Sequence, residues 1–295
     1  MKVSASYLAV IIIWSTTPLG IVWSSETVSP TMAVLMRMVI AATLGTLLLI
    51  TMRIKLPISP TALKLYGFST LGLFGGMSCG YMAAPYVSSG FMSLVFGLSP
   101  VVTGILAQRI LNEPAFDMSK KIAMLICMLG LLVVCWDKLS LNSDSYIGIG
   151  LLLVAMFFFS LSGVLVKSVS INIHPLATTL GTLYCAIPLF FAAWLITDGQ
   201  MNVDSWQERS IFAIVYLGIF ASLVGFIAYF FVLQRLSTST VALTTLITPS
   251  FAIALGALFN GETISHLLIA GALLITLGLG IYFWGRQFSL QLRKL

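Results

Sequence analysis

The stretches GLSPVVTGILAQRILNEP (residues 97–114) and LITPSFAIALGALFNGET (residues 246–263) decide how this chain is built. Each has a hydroxyl residue before a proline, then an apolar run, then a glutamate. Ser99-Pro100 with Glu113 recurs as Thr248-Pro249 with Glu262, 149 residues further on. Earlier in the chain the offset is 145: Trp14-Ser15 matches Phe159-Ser160, and Pro30 matches Pro175. A few residues inserted within 198–209 account for the change of offset. Two long apolar, self-similar halves, residues 1–140 and 141–295, predict a polytopic membrane protein built from an internal repeat.

Composition agrees. Hydrophobic residues make up 59% and charged residues 8%, with mean hydropathy +1.06, against roughly 25% charged in a soluble domain. Apolar runs long enough to cross a bilayer, about 17–25 residues each, fall at 6–23, 31–51, 65–84, 88–108, 120–136, 146–166, 176–197, 210–233, 237–259 and 264–284. The first exceeds the h-region of a cleaved signal, about 7–15 residues. With the N-terminus in the cytoplasm, only Lys138 and Arg209 fall outside and Arg37 within a span, while every other Lys and Arg falls inside. That bias places both termini in the cytoplasm of a bacterial-type inner (plasma) membrane. Cys79, Cys127, Cys135 and Cys185 all lie in spans and read as small apolar packing residues.

Five spans per half is an odd number, so the second half enters the membrane from the opposite side. The expected fold is an all-α membrane protein of ten transmembrane helices in a five-plus-five inverted repeat. Gly72, Gly76 and Gly80 line one face of span three, with Ala221 and Gly225 matching in span eight. Small residues at this spacing predict close packing at the repeat interface.

These residues resemble the drug/metabolite transporter superfamily, in its EamA-like branch of ten-span exporters. The resemblance runs over essentially the whole chain. It is carried by Trp14-Ser15, Pro30 with Arg37, Ser99-Pro100 with Glu113, Phe159-Ser160, Pro175, Thr248-Pro249 and Gly261-Glu262-Thr263. It implies export of amino acids and other small metabolites through a central cavity between the halves. The chain departs from the family at Thr182, which stands opposite Arg37 where such families often keep a second arginine.

The pathway residues follow from polarity within spans. Trp14, Ser15, Thr16, Thr17 and Pro18 are too polar to face lipid together. Span nine repeats this with Ser237 to Thr240, Thr244, Thr245 and Thr248. Hydroxyls without charge suit a neutral or zwitterionic solute, and Trp14, Tyr81, Phe159, Tyr184 and Tyr229 are candidates for an apolar side-chain pocket. Pro18, Pro100 and Pro249 each free a carbonyl four residues back, at Trp14, Phe96 and Thr245. Such a carbonyl faces either the cavity, ready for a substrate ammonium, or a nearby hydroxyl such as Ser15, Ser99 or Thr244. Ser99, Pro100, Ser160, Thr248 and Pro249 join this candidate pathway. Arg37 is the one full charge well inside a span: a gate or carboxylate contact, or a side chain snorkelling to the outer surface. Glu113 and Glu262 either cap the helix that follows each of them or form a gating pair at opposite faces.

Several classes lack their parts. No Asp, Glu or His lies mid-span, and His174 and His266 fall in short loops. No cofactor and no metal site is expected, and no phosphate-binding G-x-x-x-x-G-K-[ST] run exists. Gly76-Met77-Ser78-Cys79-Gly80 fits G-x-S-x-G, making an intramembrane hydrolase a remote alternative, but no histidine shares the membrane interior with Ser78. The expectation is a non-enzymatic secondary transporter working by alternating access, amino-acid export being its leading substrate class. A passive channel or facilitator for small neutral solutes is the second reading. Expected partners are a small-molecule substrate and the lipid bilayer, not nucleic acid. The chain would act as a monomer or a homodimer, since spans five and ten carry few polar residues.

Overall fold

The computed structural model describes residues 3–141, 145–235 and 244–292, with side chains for 3–136, 145–235, 244 and 247–282. The described residues are helical, with no strand among them. The described parts of the apolar runs fall on helical spans, labelled α1 (Val3–Ser24), α2 (Pro30–Thr51), α3 (60–83), α4 (Ser89–Ile110, in two segments), α5 (Met118–Leu141), α6 (Ser145–Lys167), α7 (Pro175–Thr197), α8 (Glu208–Leu233), α9 (Thr244–Asn260) and α10 (His266–Leu292). Among the described residues, seven of these are long and apolar enough to cross a membrane: α1, α2, α4, α6, α7, α8 and the Met118–Trp136 part of α5. Shorter apolar stretches lie in α9 and α10, at Ile247–Asn260 and His266–Tyr282. The protein is therefore a multi-pass membrane protein. Its exterior carries Leu47, Ile50, Leu125, Leu132, Phe212 and Leu273, all exposed, as a hydrocarbon surround requires.

Repeat punctuation sets the helix ends. Pro30 and Pro175 stand in the first turns of α2 and α7, where a missing N–H costs nothing. At the other end, α4 and α9 leave by left-handed turns at matching positions, Asn112 (φ 54°) and Gly261 (φ 61°). In both turns the next amide reaches back six residues, Glu113 N to Ala107 O at 3.3 Å and Glu262 N to Gly256 O at 3.1 Å. This is Schellman geometry, for which Gly and Asn are the fitting residues.

One feature escapes the sequence, a π-helical stretch in each half. Helix α3 carries a π-helical stretch at Leu71–Gly76, and α8 carries one at Leu217–Val224, the corresponding place of the other half. Such wide turns cluster at functional sites. Pro188 also lies inside α7, beside the helix-interior prolines Pro18 and Pro249. Pro100 does not kink a continuous helix. The chain turns at Leu98, whose N–H points at the Val95 and Phe96 carbonyls, and Pro100 opens the second segment, Ser99–Ile110.

Helix contacts between the halves come in exchanged pairs. Helix α1 packs on α8 and α9, and α6 packs on α3 and α4; α2 meets α8 as α7 meets α3; α2 with α7, α4 with α9 and α5 with α10 pair directly. The glycine face lies in these seams. A Cβ at Gly72 would fall 2.5 Å from Ser162 of α6, and one at Gly76 would fall 2.5 Å from the Phe159 ring. In the exchanged seam, a Cβ at Gly225 would lie 3.3 Å from Ile13 of α1. The bulk of the core is one cluster spanning both halves, from Met38 and Tyr81 to Leu180 and Leu217.

Candidate functional site

Between the halves lies a cavity of about 360 Å³, within the ~300–1,000 Å³ typical of small-molecule sites. Its wall uses α1 to α4 from the first half and α6 to α9 from the second, with Phe116, Lys120 and Tyr282 at one end. Glu113, Pro114 and Lys167, all exposed, form that end, so the cavity opens there. Its far end stops at Ile21, Arg37 and Gly80.

The opposite end of the bundle is tied by a polar cluster. Arg209 pairs with Glu26 at 3.0 Å, donates to Asn260 Oδ1 and lies 4.6 Å over the Trp23 ring. Trp23 Nε1 donates to the same Asn260 oxygen at 2.9 Å. Asn260 Nδ2 then donates to Glu262 at 3.2 Å, and Glu262 accepts the backbone N–H of Ser89 at 2.9 Å and of Gly90 at 3.3 Å. A carboxylate on the first turn of α4 meets unpaired amides and the positive end of the helix dipole. Gly256 makes this possible, because a Cβ there would collide with the Glu262 carboxylate and lie 2.6 Å from Ser89 Oγ.

Neither glutamate caps the helix that follows it, which removes the first of the two sequence readings. Asp117 Oδ1 caps α5, accepting Lys120 N at 2.9 Å, and Ser265 Oγ caps α10, accepting Leu268 N at 2.9 Å. Glu262 reaches across the repeat interface instead, and Glu113 stands in the cavity mouth. Primary sequence offers no signal for the first contact, since Ser89 and Glu262 are far apart in the chain.

Of the sequence candidates, Trp14, Thr17, Pro18, Arg37, Ser99 and Pro100 line the cavity from the first half. Phe159, Ser160, Tyr229 and Thr248 do so from the second. The aromatic wall is braced by pairs, Trp14 with Tyr229 at 5.2 Å and Phe96 with Phe159 at 5.7 Å between ring centroids. Ser15 is not on the wall; its Oγ donates to Ile11 O at 2.7 Å within its own helix. Pro249 is buried beside the cavity without lining it. Tyr184 belongs to the outside of the bundle, 40% exposed and hydrogen-bonded to Thr46 at 2.6 Å; its place on the outer face of α7 takes it away from the cavity. The Thr245 side chain and residues 237–240 lie outside the described residues. Sequence reasoning missed Gln108, Thr103, Thr179 and Phe226 of the wall. Their polarity or aromaticity was visible, but which face of the helix they occupy was not.

Arg37 does not snorkel. It is 1% exposed, and its Nε donates to Ser222 Oγ at 2.6 Å while Nη1 donates to the Tyr81 hydroxyl at 3.3 Å. Tyr81, fully buried and not itself on the wall, thus acts as a support for Arg37. The hydroxyl-rich wall contains this one guanidinium, held by α2, α3 and the π-helical part of α8. Ser78 Oγ is buried with no hydrogen-bond partner among the described residues, and His174 Nδ1 accepts Leu176 N at 3.2 Å, capping α7. Ser78 therefore has no base in hydrogen-bond contact.

A family model described as "EamA-like transporter family" matches residues 3–136 and again 146–284. PagO of Salmonella typhimurium is 26% identical over 96% of this chain and 92% of its own length. A protein of Archaeoglobus fulgidus named a transporter is 27% identical over 91% of this chain and 94% of its own. A protein of Escherichia coli strain K12 named "Probable amino-acid metabolite efflux pump" is 29% identical over 55% of this chain and 57% of its own. A solved crystal structure shares the fold with TM-score 0.68, covering 95% of both chains at 16% identity. These matches indicate a transporter rather than an enzyme. With two copies of the family's domain, a multi-helix apolar body and a cavity between the copies, the chain belongs to the EamA-like transporter family of the drug/metabolite transporter superfamily.

Proposed function

We propose that this chain is a ten-span secondary carrier of a bacterial-type inner membrane, exporting amino acids or related small metabolites by alternating access. The observation that carries this reading is the cavity between the halves, open at the Glu113–Lys120 end and tied at the Glu26–Arg209–Glu262 end. With both termini cytoplasmic, as the lysine and arginine bias favours, this is a cavity loaded from inside. The exchanged pairs of helix contacts support an inverted five-plus-five repeat, in which rocking one half against the other would swap the open and tied ends. The efflux-pump relative supports the solute class.

Counterflow in liposomes tests the reading. Amino acid inside the vesicles should accelerate uptake of labelled amino acid from outside. A passive channel, the second reading, conducts without such trans-stimulation. Maleimide labelling of Glu113→Cys and Glu262→Cys should report opposite sides of the membrane; labelling from one side only would refute the inverted arrangement.

A further inference from the structure

Arg37 is almost wholly buried, and no acidic side chain pairs with it among the described residues. A guanidinium carries five N–H donors and stays charged. Two donors go to the hydroxyls of Ser222 and Tyr81, which bring no negative charge. A buried charge left uncompensated is costly, and this one borders a cavity large enough for a small metabolite. The one acidic residue on the described wall, Glu113, lies at the mouth, with Lys120 and Lys167 beside it. The deep part offers Arg37, the donor-only indole of Trp14, neutral hydroxyls, and apolar surface from Ile21 and Leu73.

Resting on the carrier reading, we propose that Arg37 anchors the substrate's carboxylate, so that the site selects small apolar monocarboxylates and treats the α-amino group as dispensable. Ser222 and Tyr81 hold the guanidinium before substrate arrives, and the remaining donors meet a carboxylate as a planar fork. An ammonium finds only neutral acceptors in the deep part, so its loss costs little. A phosphate monoester, with close to two charges, would leave one unmatched beside a single deep cation.

The test is a thermal-shift titration of the purified full chain with four matched probes: L-leucine, 4-methylpentanoate, L-leucinamide and 4-methylpentanamide, with methyl phosphate as a fifth. Both acids should raise the melting midpoint, and each amide should need roughly tenfold or more higher concentration for the same shift. Arg37→Gln should bring 4-methylpentanoate and its amide to parity, with Arg37→Lys retaining part of the preference. The wild-type acid-to-amide comparison decides the matter even if both variants fold poorly. The proposal is overturned if amides match acids, if leucine binds and 4-methylpentanoate does not, if methyl phosphate is preferred, or if neither acid shifts the midpoint. Counterflow separates the two ideas. Acids that bind without trans-stimulation would remove the carrier and keep the anchor. Exchange of nucleosides or organic cations, with no response to acids, would keep the carrier and remove the anchor.

Discussion

Glu262 and Glu113 stand at matching repeat positions, behind matching left-handed turns, and meet different surroundings. Glu262 sits on the first amides of α4 and belongs to a cluster that ties one end of the bundle. Glu113 stands in the open mouth of the cavity at the other end. The difference is partly conformational, because the halves are packed unequally around the cavity. It is also written into the chain: the glycine that makes room for the Glu262 carboxylate, Gly256, corresponds to Ala107 in the first half. One end is thus built for a close carboxylate seat, and the other carries a methyl group where that seat would be.

The comparison breaks most sharply at Gly256. Gly256→Val should force Glu262 off Ser89 and cost about 1–3 kcal/mol of stability by overpacking, read as a lowered midpoint in detergent and faster maleimide labelling of a cysteine at Ser88. Glu262→Gln keeps the shape but removes the charge at the α4 N-terminus. It should cost about 1 kcal/mol, while Glu113→Gln leaves the midpoint within roughly 0.5 kcal/mol. Equal effects of the two would contradict the unequal ends. Gly261→Ala places a Cβ at φ 61° and should cost roughly 1 kcal/mol. Asn112→Gly relaxes the corresponding turn and should change stability by only a few tenths of a kcal/mol, measurable in the same melting series.

The seams teach a similar lesson. The spacing of Gly72 and Gly76 was legible as a packing face, but its partner, α6 at Ser162 and Phe159, was not. Arg37 was legible as an intramembrane charge. Its supports, Ser222 and Tyr81, come from helices that only the fold brings together. Tyr184 shows the opposite case: an aromatic in a span reads the same whether it faces cavity or lipid, and α7 turns this one outward.

By itself the sequence determined the apolar helices, the starts marked by Pro30 and Pro175, and the duplication, because these depend on local conformational preference and on burial in hydrocarbon. Tertiary structure alone decided which faces meet, where the π-helical stretches lie, and that Glu262 grips α4 while Glu113 does not. Those outcomes depend on side chains far apart in the chain competing for the same few ångströms, and no local pattern records which of them wins.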